Sequence, residues 1–306
     1  MFDKTLFTIF GRGVNMYGIC IAVGILVCLL VFFIYTQKKK MPAVMQDFSF
    51  FVAIIAIVVG FAFGVLFQSV YKWISDGVFQ YSGITVMGGL IGGAAAFATA
   101  YFVGGKYYFK NGVNQNLHLK EFNKIVLVAP CCITVAHAFG RIGCMCAGCC
   151  YGMESNSGFT IYNSGANRIP VQLYESIFLF ILFAVLSVLY FKRCNVLMQI
   201  YLISYAIWRF IIEYFRGDVT ERGFFLGLYP SQWQSIVFLL GGVALLIIYK
   251  VKKIPFVLPK EQPAAETAKE TGVAGDNVSL TTEIPSGNVS EDKIDKAEDK
   301  KDDNKS

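Results

Sequence analysis

Seven runs of mostly apolar residues are spaced along the first 250 positions of the chain, at about 15–36, 48–71, 84–104, 123–141, 171–191, 196–215 and 231–249. A membrane-crossing helix needs about 20 predominantly apolar residues. None of the runs shows the period-two alternation of a barrel strand. The pattern predicts an all-α, polytopic membrane protein of about seven transmembrane helices. The fourth run is the least regular. It leads into HAFGRIGCMCAGCCYG, residues 137–152, where a histidine, an arginine, glycines and four cysteines follow an apolar stretch.

Composition agrees with the pattern. Of 306 residues, 55% are hydrophobic and the mean hydropathy is +0.54, more apolar than a soluble domain of this length. The basic residues give the sidedness. Lys38, Lys39 and Lys40 follow the first run, Lys106, Lys110, Lys120 and Lys124 the third, Lys192 and Arg193 the fifth, and Lys250, Lys252 and Lys253 the seventh. The alternate loops are sparser, with Lys4 and Arg12, then Lys72, then Arg141 and Arg168, then Arg216 and Arg222. The positive-inside rule therefore places the amino terminus outside and the carboxyl terminus in the cytoplasm. Residues 1–14 lack an apolar core with a small-residue cleavage site, so the first run reads as a retained span.

The composition changes at about Pro259. Residues 260–306 have no aromatics and carry seven lysines and twelve acidic residues. Their net charge of −5, against +6 for the whole chain, leaves residues 1–259 at +11. This predicts a membrane domain over 1–258 and a disordered, charged cytoplasmic tail over 259–306. A basic membrane body suits anionic headgroups, so membrane lipids are the expected partners, and nucleic acid is not.

The polar residues inside the runs are the candidates for chemistry. His137 and Arg141 are four apart and share a helix face. An ionisable group at the centre of a span costs about 2.5–3.5 kcal/mol on insertion scales, so it normally faces a cavity or a partner. In the sixth run Tyr205, Arg209, Glu213 and Arg216 fall on one stripe. The plainer readings are an Arg141 that snorkels to the interface and an Arg209–Glu213 ion pair within one helix. The functional reading is an electropositive pocket in which Glu213 steadies one arginine. Arginines from two spans then clamp a single phosphate, as an anionic lipid of the outer leaflet requires.

Gly88, Gly89, Gly92 and Gly93 form two overlapping GxxxG pairs, which serve close helix packing or the close approach of a ligand. Tyr17 stands at the outer entry to the first span, the place of an interfacial anchor. Cys20, Cys28, Cys131 and Cys132 read as small core residues, and Cys194 falls at the cytoplasmic edge. Cys144, Cys146, Cys149 and Cys150 cluster outside. A single nearby histidine and the crowding of glycines favour packing there over a zinc site, and a disulfide needs an oxidising exterior. No metal site and no cofactor is expected.

The motifs, in their order, resemble the prolipoprotein diacylglyceryl transferase family. They are MYG at 16–18, GGLIGG at 88–93, HAFGRIG at 137–143, GCCYG at 148–152, PVQLYES at 170–176, WRFIIEYFRGD at 208–218 and PSQWQS at 230–235. The resemblance implies a multi-pass enzyme of the bacterial cytoplasmic membrane. Such an enzyme transfers diacylglyceryl from phosphatidylglycerol to the lipobox cysteine of a prolipoprotein signal peptide, forming a thioether and releasing glycerol phosphate. It implies Arg141, Arg209 and His137 as catalytic residues. Tyr17, Gly88, Gly89 and Glu213, together with Arg141, are implied as lipid- and substrate-binding.

The chain departs from the family pattern in places. Met87 stands where the family has a histidine, Cys144 and Ala147 where it has asparagines, and Cys149 where it has a glutamate, as in a cysteine-bearing GCCYG branch. Methionine cannot move a proton. His137, one turn before Arg141, is the nearest titratable replacement. Two other readings stay open. One is a family member that binds lipid without this activity or uses another acceptor. The other is a small-anion transporter lined by Arg141 and Arg209, although Asp47, Gln68 and Gln199 are too scattered to mark a path.

Overall fold

The computed structural model describes residues 7–9, 12–77, 85–156, 158–163, 165–218 and 226–258. The tail expected over 259–306 lies outside the described residues. Every apolar run is helical. Helix α1 spans Met16–Lys38 and α2 spans Ala43–Asp76. Helix α3, Val86–Ala98, runs through a π-helical stretch, Thr99–Gly104, into α4, Gly105–Tyr108. Then follow α5, Leu117–Ala147, α6, Val171–Phe191, α7, Leu197–Ile212, with a 3-10 turn at Glu213–Phe215, and α8, Pro230–Val251.

Among the described residues six helices are long and apolar enough to cross a membrane, against the seven spans expected. Helix α7, with 16 residues, is about 24 Å long, short of a hydrocarbon core of about 30 Å. The sequence boundaries were too narrow for α2 and α5. Both helices continue through polar residues that hydropathy excludes, Gln46 and Asp47 at the start of α2 and His118, Lys120 and Glu121 at the start of α5, and α5 also runs on past Arg141 to Ala147.

Two short hairpins were not expected. β1 (Phe7–Ile9) pairs with β2 (Arg12–Val14), and β3 (Ile161–Asn163) with β4 (Ala166–Arg168). Strands of three residues are too short to leave an alternating pattern.

The main core joins α1, α5, α6 and α7 through Val31, Val128, Val135, Leu179, Leu186 and Leu197. Large apolar side chains such as Leu26, Val58, Ile181 and Val237 are exposed on the outside. That is the surface a lipid-facing bundle needs and a soluble monomer avoids. At the basic end of the bundle the Tyr190 hydroxyl donates to the Tyr35 carbonyl at 3.0 Å. There Lys38 and Lys39 sit over the rings of Phe191 and Tyr190.

Helices α2 and α3 pack on each other through glycine. A Cβ at Gly88 would press on Phe67 at 2.5 Å, one at Gly92 would run into Phe63, and one at Gly60 would meet the Gly89 carbonyl at 3.0 Å. A second core, with Met45, Val52, Tyr101, Phe109 and Ile125, joins this pair to the start of α5. There the Tyr101 hydroxyl donates to the His118 carbonyl at 2.7 Å.

Because Phe63 fills the space beside Gly92, Gly92→Val should destabilise the fold by about 1–3 kcal/mol, the usual cost of overpacking. Gly104→Ala, where nothing lies within 4 Å of the added carbon, should be neutral. Unfolding in detergent measures both, and equal stability of the two variants contradicts glycine-mediated packing of α2 on α3.

Candidate functional site

Away from the basic end, α5, α6 and α7 bring their charged residues to one place. Pro170 precedes α6, and Val171, Gln172, Glu175, Ser176 and Leu179 form its buried face at the helical spacing of three and four. The Ser176 hydroxyl donates to the Ala138 carbonyl of α5 at 3.0 Å, which fixes α6 on α5 one turn before Arg141. Glu175, 2% exposed, is the hub.

Glu175 Oε1 receives Arg141 Nη2 at 3.0 Å and the Tyr205 hydroxyl at 3.2 Å. Glu175 Oε2 faces Arg209 Nη1 at 3.6 Å. His137 Nε2 lies 3.9 Å from Oε1, beyond hydrogen-bond length, and its ring stands edge-on to Tyr205. Glu213 pairs with Arg209 at 3.1 Å and reaches Arg216 at 3.9 Å. Arg216 in turn makes a two-pronged pair with Asp218 at 3.0 and 2.5 Å.

The structure thus joins four sequence-predicted residues, His137, Arg141, Arg209 and Glu213, and adds Glu175, which sequence reasoning missed. Its signal was a lone glutamate at the start of an apolar run, in PVQLYES. Arg141 does not snorkel; its side chain is 13% exposed. The pocket also differs from the electropositive one expected, because three carboxylates, Glu175, Glu213 and Asp218, match three guanidiniums. Two buried donors, Arg141 Nε and Arg209 Nη1, have no hydrogen-bond partner. Such burial costs about 1–3 kcal/mol per group, which an oxygen-rich anion would relieve. A cleft of about 500 Å³ opens beside the network and is lined by Glu213, Arg216, Arg168 and Tyr229 among others.

The segment after α5 holds Arg216 in place. Gly152 donates its N–H to the Ile169 carbonyl, Met153 to Phe215, and Gly217 to Tyr151, at 2.9 to 3.1 Å. A Cβ on Gly152 would strike the Ile169 carbonyl, and one on Gly217 the Gly152 carbonyl, so both glycines permit three backbones to meet. Arg168 lies over the Tyr151 ring at 4.4 Å and pairs with Glu154 at 2.8 Å.

Cys144, Cys149 and Cys150 bring their sulfurs within 4.8 Å of one another. Hydrogen bonds from Cys144 and Cys149 outweigh burial and hold the Cys150 thiol below its ordinary range, helped by Arg216 and Arg141. Tyr17 packs on Gly143, where a Cβ would lie 3.1 Å from its ring, and is within electrostatic range of Arg141 and the three thiols. Gly88 and Gly89 lie in the α2–α3 contact. Met87 belongs to α3, and its side chain is outside the described residues.

A helical membrane bundle whose buried arginines are built around a carboxylate defines a class of protein that handles an anionic group at a membrane. The comparisons narrow it. The family model for prolipoprotein diacylglyceryl transferase matches residues 4–248. The chain is 32% identical over 262 residues to phosphatidylglycerol–prolipoprotein diacylglyceryl transferase 2 of Clostridium perfringens, covering 80% of this chain and 94% of that protein. It is 31% identical over 266 residues to the phosphatidylglycerol–prolipoprotein diacylglyceryl transferase of Clostridium tetani, covering 81% and 98%. For the enzyme of that name from Dehalococcoides mccartyi the figures are 30% over 267 residues, 82% and 95%. The chain belongs to the prolipoprotein diacylglyceryl transferase family.

Removing the hub should leave Arg141 without its carboxylate, while Arg209 keeps Glu213. Glu175→Leu is expected to cost about 3–5 kcal/mol, the usual range for breaking a buried pair. Adding Arg141→Met should recover part of that loss in a double-mutant cycle. Strictly additive losses would mean that the two side chains do not interact.

Proposed function

We propose that this chain transfers the diacylglyceryl group of phosphatidylglycerol to the cysteine of a prolipoprotein, the reaction for which its relatives are named. The observation that carries the reading is the placement of Arg141 and Arg209 on either side of one buried carboxylate, with guanidinium donors still unused. Glu175 fixes the two guanidiniums, and their unused N–H groups are the donors that the non-bridging oxygens of a phosphodiester would take. A lipid phosphate that enters beside Arg216 meets donors already aimed and desolvated. As the glyceryl C–O bond breaks, the departing phosphate gains charge, and arginines fixed in advance stabilise that charge without reorganising.

The attacking sulfur must be a thiolate. We assign its proton to His137, which adjoins Glu175 and Arg141. Tyr17, beside Gly143, borders the same site. In this reading the amino terminus is outside and residues 259–306 follow the membrane domain into the cytoplasm. The reaction then occurs at the outer face of the bacterial cytoplasmic membrane, and the acceptor is the lipobox cysteine of a signal peptide. The replacement of the family's histidine by Met87 favours a second reading, a lipid-binding protein without transfer activity. A transporter is disfavoured by the packed apolar core below the network, where Val128, Val135 and Leu186 are buried.

Transfer of labelled diacylglyceryl to a lipobox peptide separates these readings. Arg141→Ala should slow it by about 10²–10³-fold, the usual cost of removing a charge-stabilising donor. Arg141→Lys should not restore the rate, because the planar fork is lost. Arg209→Ala should behave alike, and Glu213→Gln more mildly. A wild-type rate in Arg141→Ala would rule out the phosphate clamp.

A proton acceptor contributes about 10²–10⁴-fold, so His137→Gln should fall within that range while inserting normally. If it transfers at near-normal rate, the proton goes instead to water, to Glu213 or to the departing phosphate.

A further inference from the structure

The three sulfurs of Cys144, Cys149 and Cys150 form a cluster that the phosphate clamp does not use. Cys144 lies three residues after Arg141, on the same face of α5. Gly148, at φ +71°, ends the helix in the left-handed conformation and turns the chain back, so that Cys149 and Cys150 approach Cys144. The turn is fastened from several sides. The Cys149 N–H donates to the Cys144 carbonyl at 3.2 Å, Gln172 Nε2 to the Cys149 carbonyl at 2.6 Å, and Asn163 Nδ2 to the Gly148 carbonyl at 3.4 Å. Cys150 is held at φ +58°, a conformation that side chains other than glycine take rarely and that recurs at functional sites.

The chemistry of such a trio is specific. Thiolates select soft or borderline cations. Zinc–sulfur bonds of about 2.3 Å place tetrahedral sulfurs about 3.8 Å apart, so a cluster within 4.8 Å needs only a small closure. A structural zinc site has four protein ligands, whereas a catalytic one has three and an open position. Cys146 is not among the sulfurs that come together, and its thiol interacts with Cys20 of α1 instead. Cys149 is exposed and its two partners are only partly buried, so one side of the cluster is open.

Resting on the transferase reading above, we propose that Cys144, Cys149 and Cys150 bind a zinc ion whose open fourth position takes the sulfur of the acceptor cysteine. A thiol bound to zinc is deprotonated outright. The acceptor thiol displaces a zinc-bound water, its proton passes through water to His137, two turns earlier on α5, and a zinc thiolate forms. That sulfur then attacks the glyceryl carbon. The C–S bond forms as the C–O bond breaks, and the electron pair leaves with the phosphate held by Arg141 and Arg209. The charge of three thiolates on one zinc, net −1, faces Arg141 and Arg216, which interact with Cys150.

Full-length protein in detergent, stripped of metal under reducing conditions, tests the inference with zinc or cobalt alone. We expect one equivalent of zinc to bind, cobalt to show the thiolate charge-transfer and tetrahedral ligand-field bands, and both to be lost in Cys144→Ser and Cys150→Ser. Cys194→Ser, a control remote from the site, should still bind one equivalent. Because a serine variant can fail to insert, the decisive arm uses the wild-type chain. X-ray absorption of the zinc protein should count three sulfurs alone, four with a lipobox peptide, and three when serine replaces the peptide cysteine. A disulfide among the three cysteines under reducing conditions, no retained metal, or a sulfur count that ignores the peptide overturns the proposal.

Metal-free protein should transfer at least about ten-fold more slowly, since about 3% of a free thiol with a pKa near 8.5 is ionised at pH 7. Full transfer without metal overturns the zinc role and leaves the transferase reading intact. Four sulfurs with no transfer to any peptide leaves the metal site standing and refutes the transferase reading.

Discussion

A single carboxylate, Glu175, dictates the arrangement of the bundle away from its basic end. A bare carboxylate in an apolar interior costs several kcal/mol even after relaxation, and only close, well-directed partners offset it. Those partners come from two other helices, Arg141 from α5, and Tyr205 and Arg209 from α7. The three helices must therefore hold one depth and one rotation. Glu213 then holds Arg209, Arg216 reaches Glu213, and Asp218 fixes Arg216. The loop through Gly152 and Gly217 holds the backbone on either side of Arg216.

This charge balance explains how the protein can carry three guanidiniums in a membrane domain and still be poised for an anion. A cluster of unpaired arginines would be costly to insert. Pairing each with a carboxylate lowers that cost, while the spare N–H groups on Arg141 and Arg209 keep the place receptive. The cysteines extend the same arrangement. After Arg141 the chain carries sulfur at Cys144, Cys149 and Cys150, placed by the turn at Gly148 within reach of Arg141 and Tyr17.

Much of this was legible in the sequence. Length and apolarity showed that the chain is a bundle of long apolar helices, because lipid demands uninterrupted backbone hydrogen bonding; α7 is too short to qualify as a span by itself. Arg141, Arg209 and Glu213 were legible because spacings of four put partners on one helix face. Glu175 was not, since every partner it has lies on another helix and no spacing within α6 reveals them. The cysteine cluster was legible in its spacing, but which three of its four sulfurs meet was not, because Cys144 meets Cys149 and Cys150 only through a left-handed turn. The ends of α2 and α5 were misplaced because helices continue where hydropathy falls. The glycines at 88 and 89 could signal packing or ligand, and their contacts with α2 supply the packing.

The central claim is that an anchored arginine pair takes a lipid phosphate and releases it as a leaving group to a sulfur nucleophile. The most direct measurement is a single-turnover reaction of the purified wild-type protein with doubly labelled phosphatidylglycerol and a lipobox peptide, following both fragments of the lipid. The account predicts one glycerol phosphate released for each thioether-linked diacylglyceryl peptide formed, with no product when serine replaces the cysteine. A protein that binds the lipid but releases no glycerol phosphate in the presence of the peptide would contradict it.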